Sequence, residues 1–193
     1  SSEEYLVELS GRADQFNPFN IICGVGDELF WYSNMGGTPL RIGAGIHGVS
    51  NSLPDIPWPK VARGKAGLER ALKDAAQENE SFTADVDEKE KSAIRLELEG
   101  VAKKRGACSD ELDHAAIDLT ASLLYLLKDR TIAPDCDLPD TGVGIEWERL
   151  LSPVFIDAPG YGTRSSTVVL LDNKGHYSFT ESGDALNFYR FNR

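Results

Sequence analysis

Three prolines fall within six residues, Pro54-Asp55-Ile56-Pro57-Trp58-Pro59. Each proline locks its own φ, lacks a backbone donor and steers the residue before it away from the helical region. Regular structure is therefore forbidden up to Trp58. A helix can start at Pro59 or Lys60, because a proline in the first turn gives up an N–H that has no helical acceptor. Upstream, residues 3–9 read as the end of a helix with Gly11 as its stop. Residues 20–25 and 28–33 are apolar and aromatic runs around Gly26-Asp27, which predicts a β-hairpin with a two-residue turn. Residues 40–50 are glycine-rich and predict a short strand running into a loop.

Downstream the period changes. Leu68, Ala71, Leu72, Ala75 and Ala76 recur at helical spacing. Residues 77–91 are polar and charged, and read as a solvent loop leading into a second helix striped by Ile94, Leu98, Val101 and Ala102. A third helix is predicted over 110–128, with Ser109 as N-cap and Asp110 and Glu111 at its positive end. Its expected core face is Leu112, Ala115, Ala116, Leu119, Leu123, Leu126 and Leu127. Residues 131–144 form a loop holding Pro134, Pro139 and Gly142. Strands follow at 151–157, 165–172 and 177–182, with an edge strand at 186–191. Asn173-Lys174-Gly175 supplies a three-residue hairpin loop with glycine where φ must be positive. The order of strands, helices, then strands predicts an α+β fold with antiparallel sheets and packed helices.

Charge removes several function classes. Lys and Arg total 20 against 31 Asp and Glu, a formal charge of −11 over 193 residues. With an isoelectric point near 4.7, the mean field repels phosphate backbones and anionic membranes, so no nucleic-acid partner is expected. The longest apolar runs, 123–127 and 168–171, are far too short to span a bilayer. Cys23, Cys108 and Cys136 are an odd number without CxxC spacing, which favours a reducing, cytoplasmic location. The chain opens on Ser1-Ser2-Glu3-Glu4 without an initiator Met, as a processed chain or a fragment does.

Several motifs fail on context. Gly43-Ala44-Gly45-Ile46-His47-Gly48 matches GxGxxG, but the prolines that follow prevent the helix a dinucleotide site requires. The three histidines lie far apart and support no zinc site. Asn79-Glu80-Ser81 fits a glycosylation acceptor by chance spacing, and 85–91 reads as a solvated helix start.

Four segments carry more information. They are His47-Gly48-Val49-Ser50-Asn51-Ser52-Leu53-Pro54-Asp55-Ile56-Pro57-Trp58-Pro59-Lys60, Leu138-Pro139-Asp140-Thr141-Gly142, Leu151-Ser152-Pro153-Val154-Phe155-Ile156, and Tyr161-Gly162-Thr163-Arg164-Ser165-Ser166-Thr167-Val168. In order and spacing they resemble the transport and Golgi organisation protein 2 family, also called the NRDE family. Asn17-Pro18-Phe19-Asn20 through Asn34 fits the stretch that precedes the first motif there. The resemblance runs from about Ser10 to the end, and makes residues 1–193 a single NRDE-like domain. Family members begin with a Cys after the initiator Met, followed by an Asn-Arg-Asp-Glu segment. Neither occurs here, and Cys23 lies inside a predicted strand. The domain is therefore expected to be N-terminally truncated relative to the family.

The resemblance implies a fold like the N-terminal-nucleophile hydrolases, here as an incomplete αββα sandwich. In the related cysteine amidases an Asn side chain donates to the oxyanion and an Arg lies near the nucleophile. Ser50-Asn51-Ser52 is similar to that oxyanion segment, and Arg164 stands where the late Arg-bearing strand begins. An amide aimed at a developing oxyanion lowers a barrier by a few kcal/mol. A guanidinium favours thiolate over thiol. Without the nucleophile neither acts alone, so the resemblance implies first a non-catalytic protein. Such a protein would be linked to Golgi organisation, secretion and the handling of haem or lipid, with Golgi or mitochondrial association. The alternative is a cysteine amidase or acyl hydrolase whose nucleophile this chain lacks. No cofactor is expected, although haem could be the ligand.

The candidate ligand residues are Asn51, Trp58, Tyr161, Arg164, Ser165 and His47. Arg164 would pair with a carboxylate or phosphate of a small amphipathic ligand. Each has a plainer reading. Asn51 could satisfy loop backbone, Arg164 could bridge Asp140 or Glu148, and His47, a haem or metal ligand on the sharper reading, could hold backbone. Trp58 could plug the core edge, Tyr161 could be buried with its hydroxyl satisfied, and Ser165 could be a strand-start hydroxyl. Cys136, beside Asp137, is read as inert. Exposed strand edges would favour self-association, and 88–104 could dock a protein partner.

Overall fold

The computed structural model describes residues 1–25, 28–77, 86–104, 114–173 and 175–191. Two compact units meet in the chain at Ile56 and Pro57, inside the proline-rich segment. The first covers residues 1–56 and the second 57–193.

The first unit is one helix on one sheet. Helix α1 (Ser2–Ser10) starts at Ser1, whose hydroxyl accepts the Glu4 N–H at 3.3 Å. Strands β1 (Asn20–Val25), β2 (Glu28–Ser33) and β3 (Leu40–Ile42) form an antiparallel sheet in that order. The hairpin pairs Cys23 with Phe30 and Ile21 with Tyr32. Alternation puts these four on one face, where Phe30 and Tyr32 join Leu6 and Leu9 of α1 in the core. The strands match the predicted hairpin, while its turn, Gly26-Asp27, lies outside the described residues. Gly11 ends the helix with φ −67°, right-handed, so glycine's extra freedom is not what stops it.

The second unit packs helices on one face of a second sheet. Helices α2 (Pro59–Gln77), α3 (Val86–Lys104), α4 (His114–Leu126) and α5 (Ile145–Leu151) precede a two-strand ladder, β4 (Asp157–Ala158) and β5 (Tyr161–Gly162). Strands β6 (Ser166–Leu171), β7 (Tyr177–Ser182) and β8 (Leu186–Phe191) then form an antiparallel sheet in sequence order, with β8 at an edge as predicted. Leu98 and Ala102 of α3 and Ile117, Ala121 and Leu124 of α4 meet Val168 of β6 in the core. Gly175 takes φ +84° in the β6–β7 turn, as its position requires; Lys174 lies outside the described residues. The other face of this sheet is open: Val169, Phe179 and Tyr189 share one register row, and Leu171, Tyr177 and Phe191 another.

Two local expectations are corrected and two are refined. Residues 151–157 are not a strand. Leu151 ends α5, Pro153 has no N–H, the Phe155 N–H goes to the Asp129 carbonyl at 2.8 Å and the Ile156 N–H to Thr163 Oγ1 at 3.0 Å. With its donors taken, the segment pairs only from Asp157 onward. The expected loop at 77–91 gives way to helix at Val86, in keeping with the solvated helix start read at 85–91, with an i,i+3 Lys91–Glu88 pair at 2.8 Å on its charged side. Residues 131–144 are a loop as expected, with a short 3₁₀ turn at Asp135–Asp137. The core positions of α4 are Ile117, Thr120, Ala121 and Leu124 rather than the stripe through Ala115 and Leu119. This helix packs against α2, α3 and β6 at once, so it is apolar nearly all round and its stripe does not reveal its orientation. The expected N-cap Ser109, the first-turn acids and Leu112 lie outside the described residues, as do Asn79-Glu80-Ser81 and Cys108.

Truncating Leu98, which is completely buried, is expected to cost about 2–5 kcal/mol in L98A by chemical denaturation. Thr180 is the opposite case. Its hydroxyl is buried beneath the helices with no hydrogen-bond partner among the described residues. We predict that Thr180→Val stabilises the protein by about 1 kcal/mol, since it removes an unsatisfied polar group at nearly constant shape. A lower melting temperature for that variant would refute this.

Candidate functional site

In the first unit the site is built on a loop and the sheet face that α1 leaves uncovered. Asp55 closes the loop. Its backbone N–H donates to the Gly48 carbonyl at 2.7 Å, its Oδ1 accepts the Gly48 N–H at 3.0 Å, and its Oδ2 lies 2.7 Å from His47 Nδ1. Asp55 does this at φ 61°, a left-handed conformation that aspartate tolerates better than most residues. His47 is thus held by a carboxylate rather than by backbone. With the proton on Nδ1, Nε2 keeps its lone pair, the arrangement that orients a ligating histidine.

The loop tip faces a concavity of about 730 Å³. Phe19, Trp31, Met35 and Leu53 give it apolar walls, and Asn20, Ser33 and Asn51 add polar groups. Trp31 is only 2% exposed. Its Nε1–H donates to Asn20 Oδ1 at 3.1 Å, and Asn20 Nδ2 donates to the Ser50 carbonyl at 3.2 Å, which ties sheet to loop. Asn34 sets the opposite wall. Its Oδ1 accepts the Phe19 N–H at 2.8 Å, and its Nδ2 reaches the carbonyls of Ala13, Phe16 and Asn17 at 3.1–3.2 Å. Asn51 lines the concavity, is exposed, and its amide has no hydrogen-bond partner among the described residues. The plainer reading, an amide spent on loop backbone, does not describe it.

The other candidates belong to the second unit. The Trp58 carbonyl accepts the Ala62 N–H at 2.9 Å and starts α2, with Lys60 Nζ 5.9 Å above its half-buried ring. That position suits a cover over the helix start. Tyr161 is 55% exposed, not buried. Arg164 and Ser165 are exposed just before β6, and Arg164 has no ion-pair partner among the described residues. It does not bridge the two acids suggested for it. Glu148 is buried and accepts from the Thr141 N–H at 2.7 Å and its hydroxyl at 2.6 Å, while Asp140 takes the Gly142 N–H. Cys23 is packed near α1, its Sγ 3.9 Å from the Ser2 carbonyl, and Cys136 is exposed beside Asp137.

Sequence reasoning missed a second concavity, of about 770 Å³, between α2, α3, α4 and residues 128–130. None of Trp58, Tyr161, Arg164 or Ser165 lines it. Its frame is set by Arg63, whose Nε pairs with Asp129 Oδ2 at 2.9 Å while Nη2 donates to the Thr131 carbonyl at 2.6 Å. Nearby, Lys60 Nζ donates to the Leu151 carbonyl at 3.0 Å, at the end of α5. Burial pushes the Lys60 ammonium below its usual range, against the pull of Glu148. For Asp129, burial acts upward, but the hydrogen bonds from Thr131 and Arg63 outweigh it and hold the carboxyl below its usual range.

The sequence model of the family described as Transport and Golgi organisation 2 matches residues 1–183. The Transport and Golgi organization protein 2 homolog of Bos taurus is 29% identical over 193 residues, covering 93% of this chain and 55% of the relative. The Homo sapiens homolog is 28% identical and the Mus musculus homolog 25%, with the same coverage. The chain spans about half the length of the curated relatives it matches.

The Arg63–Asp129 contact sets a pH dependence. A carboxyl whose pKa falls on folding contributes stability that is present above its ordinary value, about 3.9, and lost as pH falls through the lower folded value. Asp129→Asn is therefore expected to cost about 1–2 kcal/mol at pH 7. Its deficit against wild type should shrink as the pH is lowered below about 4. Denaturant titrations across that range check it, and a pH-independent deficit would contradict it.

Proposed function

The chain belongs to the Transport and Golgi organisation 2 family, and from that premise we propose that it is a binding module for a small amphipathic ligand of the haem or lipid kind. The role in transport and Golgi organisation carried by its relatives' names is proposed for it as well. The observation that carries the binding reading is the concavity of the first unit. It joins a tryptophan, a phenylalanine, a methionine and a leucine to an unspent amide, and none of the described residues lining it is charged. That combination suits a ligand with an apolar body and a polar edge. His47, held by Asp55, offers an imidazole to a haem iron. Arg164 belongs to the second unit and does not line this concavity; exposed and unpaired among the described residues, it is proposed separately as a guanidinium for a carboxylate or phosphate.

We also propose an incomplete version of the αββα sandwich of the N-terminal-nucleophile hydrolases, as one domain over residues 1–193. Each unit taken by itself supports it in having helix packed on one face of an antiparallel sheet, and in the second unit the other face of the sheet is open. An experimental structure tests this, and a different layer order overturns it.

The binding reading is tested by titrating the chain with haemin and, separately, with a fluorescent lysophospholipid. Met35→Glu and Asn51→Ala change exposed wall positions. Each should weaken one of the two probes at least about fivefold, roughly 1 kcal/mol. His47→Ala should alter the haemin absorption spectrum if iron is ligated there. Equal affinities of wild type and both wall variants for both probes would sink this reading. Equal affinity for Arg164→Ala would remove Arg164 from it.

A further inference from the structure

The concavity of the second unit has a different chemistry. Its walls carry Arg63, Arg70, Lys91, Lys128 and Arg130 against Asp74, Glu90 and Asp129. That is a surplus of two positive charges in a chain whose formal charge is −11. Two pairs cancel within the wall: Arg63 with Asp129 at 2.9 Å and Lys128 with Glu90 at 3.3 Å. Two of the remaining cations find their partners outside the wall. Arg130 pairs with Asp157 at 2.6 Å and Lys91 with Glu88 at 2.8 Å, and neither acid lines the concavity. Arg70 has no ion-pair partner among the described residues, although Asp74 stands one turn away.

These cations are also supported. The Arg130 guanidinium lies 4.6 Å over the Phe155 ring, and Lys91 Nζ lies 5.7 Å from the Tyr125 ring centroid. Lys91 is only 27% exposed. Aromatic faces that hold a cation in place reduce the rotamer freedom it must lose when an anion arrives. Ion pairs open to water hold weakly, so an anion in the concavity competes with Glu88 and Asp157 for Lys91 and Arg130. A monocarboxylate would engage a single guanidinium. A compact dianion with several acceptor oxygens can take Arg70, Lys91 and Arg130 together.

We propose that this concavity binds a phosphate dianion, free or as the terminal group of a phosphate monoester. The site is separate from the amphipathic concavity of the first unit and does not depend on the function proposed for it.

The test is calorimetric titration of the full chain with inorganic phosphate, with glycerol 3-phosphate and with acetate, at low ionic strength. Binding of one or both phosphates should be saturable, tighter than acetate, and weaker as salt is added. Arg70→Ala with Lys91→Met removes two cations and keeps the aliphatic stem over Tyr125. It should weaken phosphate at least about tenfold, or about 1.4 kcal/mol. Asp74→Asn removes an acid from the wall and should tighten it. Arg41→Ala, whose partner Glu28 lies in the other unit, should change nothing. Thermal melts confirm that each variant is folded. Which phosphate binds separates the free anion from the monoester. An absence of saturable phosphate binding, or affinity unchanged in the folded double variant, overturns the proposal. Met35→Glu and Asn51→Ala should leave phosphate binding intact, so the two sites fail independently.

Discussion

One guanidinium organises the second unit. Arg63, on the second turn of α2, reaches the Asp129 carboxylate, the Thr131 carbonyl and, at 3.4 Å, the Ser152 carbonyl. These groups lie on two chain segments far from it in sequence. The end of α5 would otherwise present backbone carbonyls without partners. Lys60 and Arg63 supply donors there, and Ser152 completes the junction by accepting the Ala133 N–H at 2.9 Å. Because Asp129 is fixed from both sides, its neighbours Lys128 and Arg130 are positioned as well. The same contact that joins helix to loop thus places two cations on the wall of the cationic concavity.

Amides do the equivalent work in the first unit. Asn34 gathers residues 13–19 around one side chain, and Asn20 links the Trp31 indole to the Ser50 carbonyl. An asparagine can donate and accept at once, so it can tie a strand to a loop without adding a charge. The wall it builds remains neutral. That neutrality separates the two concavities chemically. One presents aromatic and aliphatic surface with amide and hydroxyl groups, and the other presents guanidinium, ammonium and carboxylate groups beside two aromatic rings. Ligands suited to one are poorly suited to the other.

Much was legible from local pattern. The hairpin strands 20–25 and 28–33, the strands 177–182 and 186–191, and the start of α2 at Pro59 all occur where predicted. Each is written in neighbouring residues: alternation at period two, turn residues between the runs, and a proline where a helix can accept one. Residues 151–157 misled because Val154, Phe155 and Ile156 look like strand, while the Phe155 and Ile156 donors are taken by Asp129 and Thr163. The stripe of α4 misled for a related reason, since a helix touched on several sides shows no polar face. In the candidate sites, Asn51 and His47 were visible as unusual residues in an unusual loop. The Asp55 clamp on His47 was not, although both residues stand in the quoted motif.

The sequence by itself determined where structure could not continue, which runs would be strand or helix, and which family the chain resembles. Those properties depend on residues close in the chain, or on whole motifs in order. Only the tertiary structure decided which cations share a wall. Arg63, Arg70, Lys91, Lys128 and Arg130 come from α2, α3 and the segment after α4, and no spacing rule connects them. An acidic total charge hid them, because a field is set by where charges stand in space, whereas composition records only how many there are.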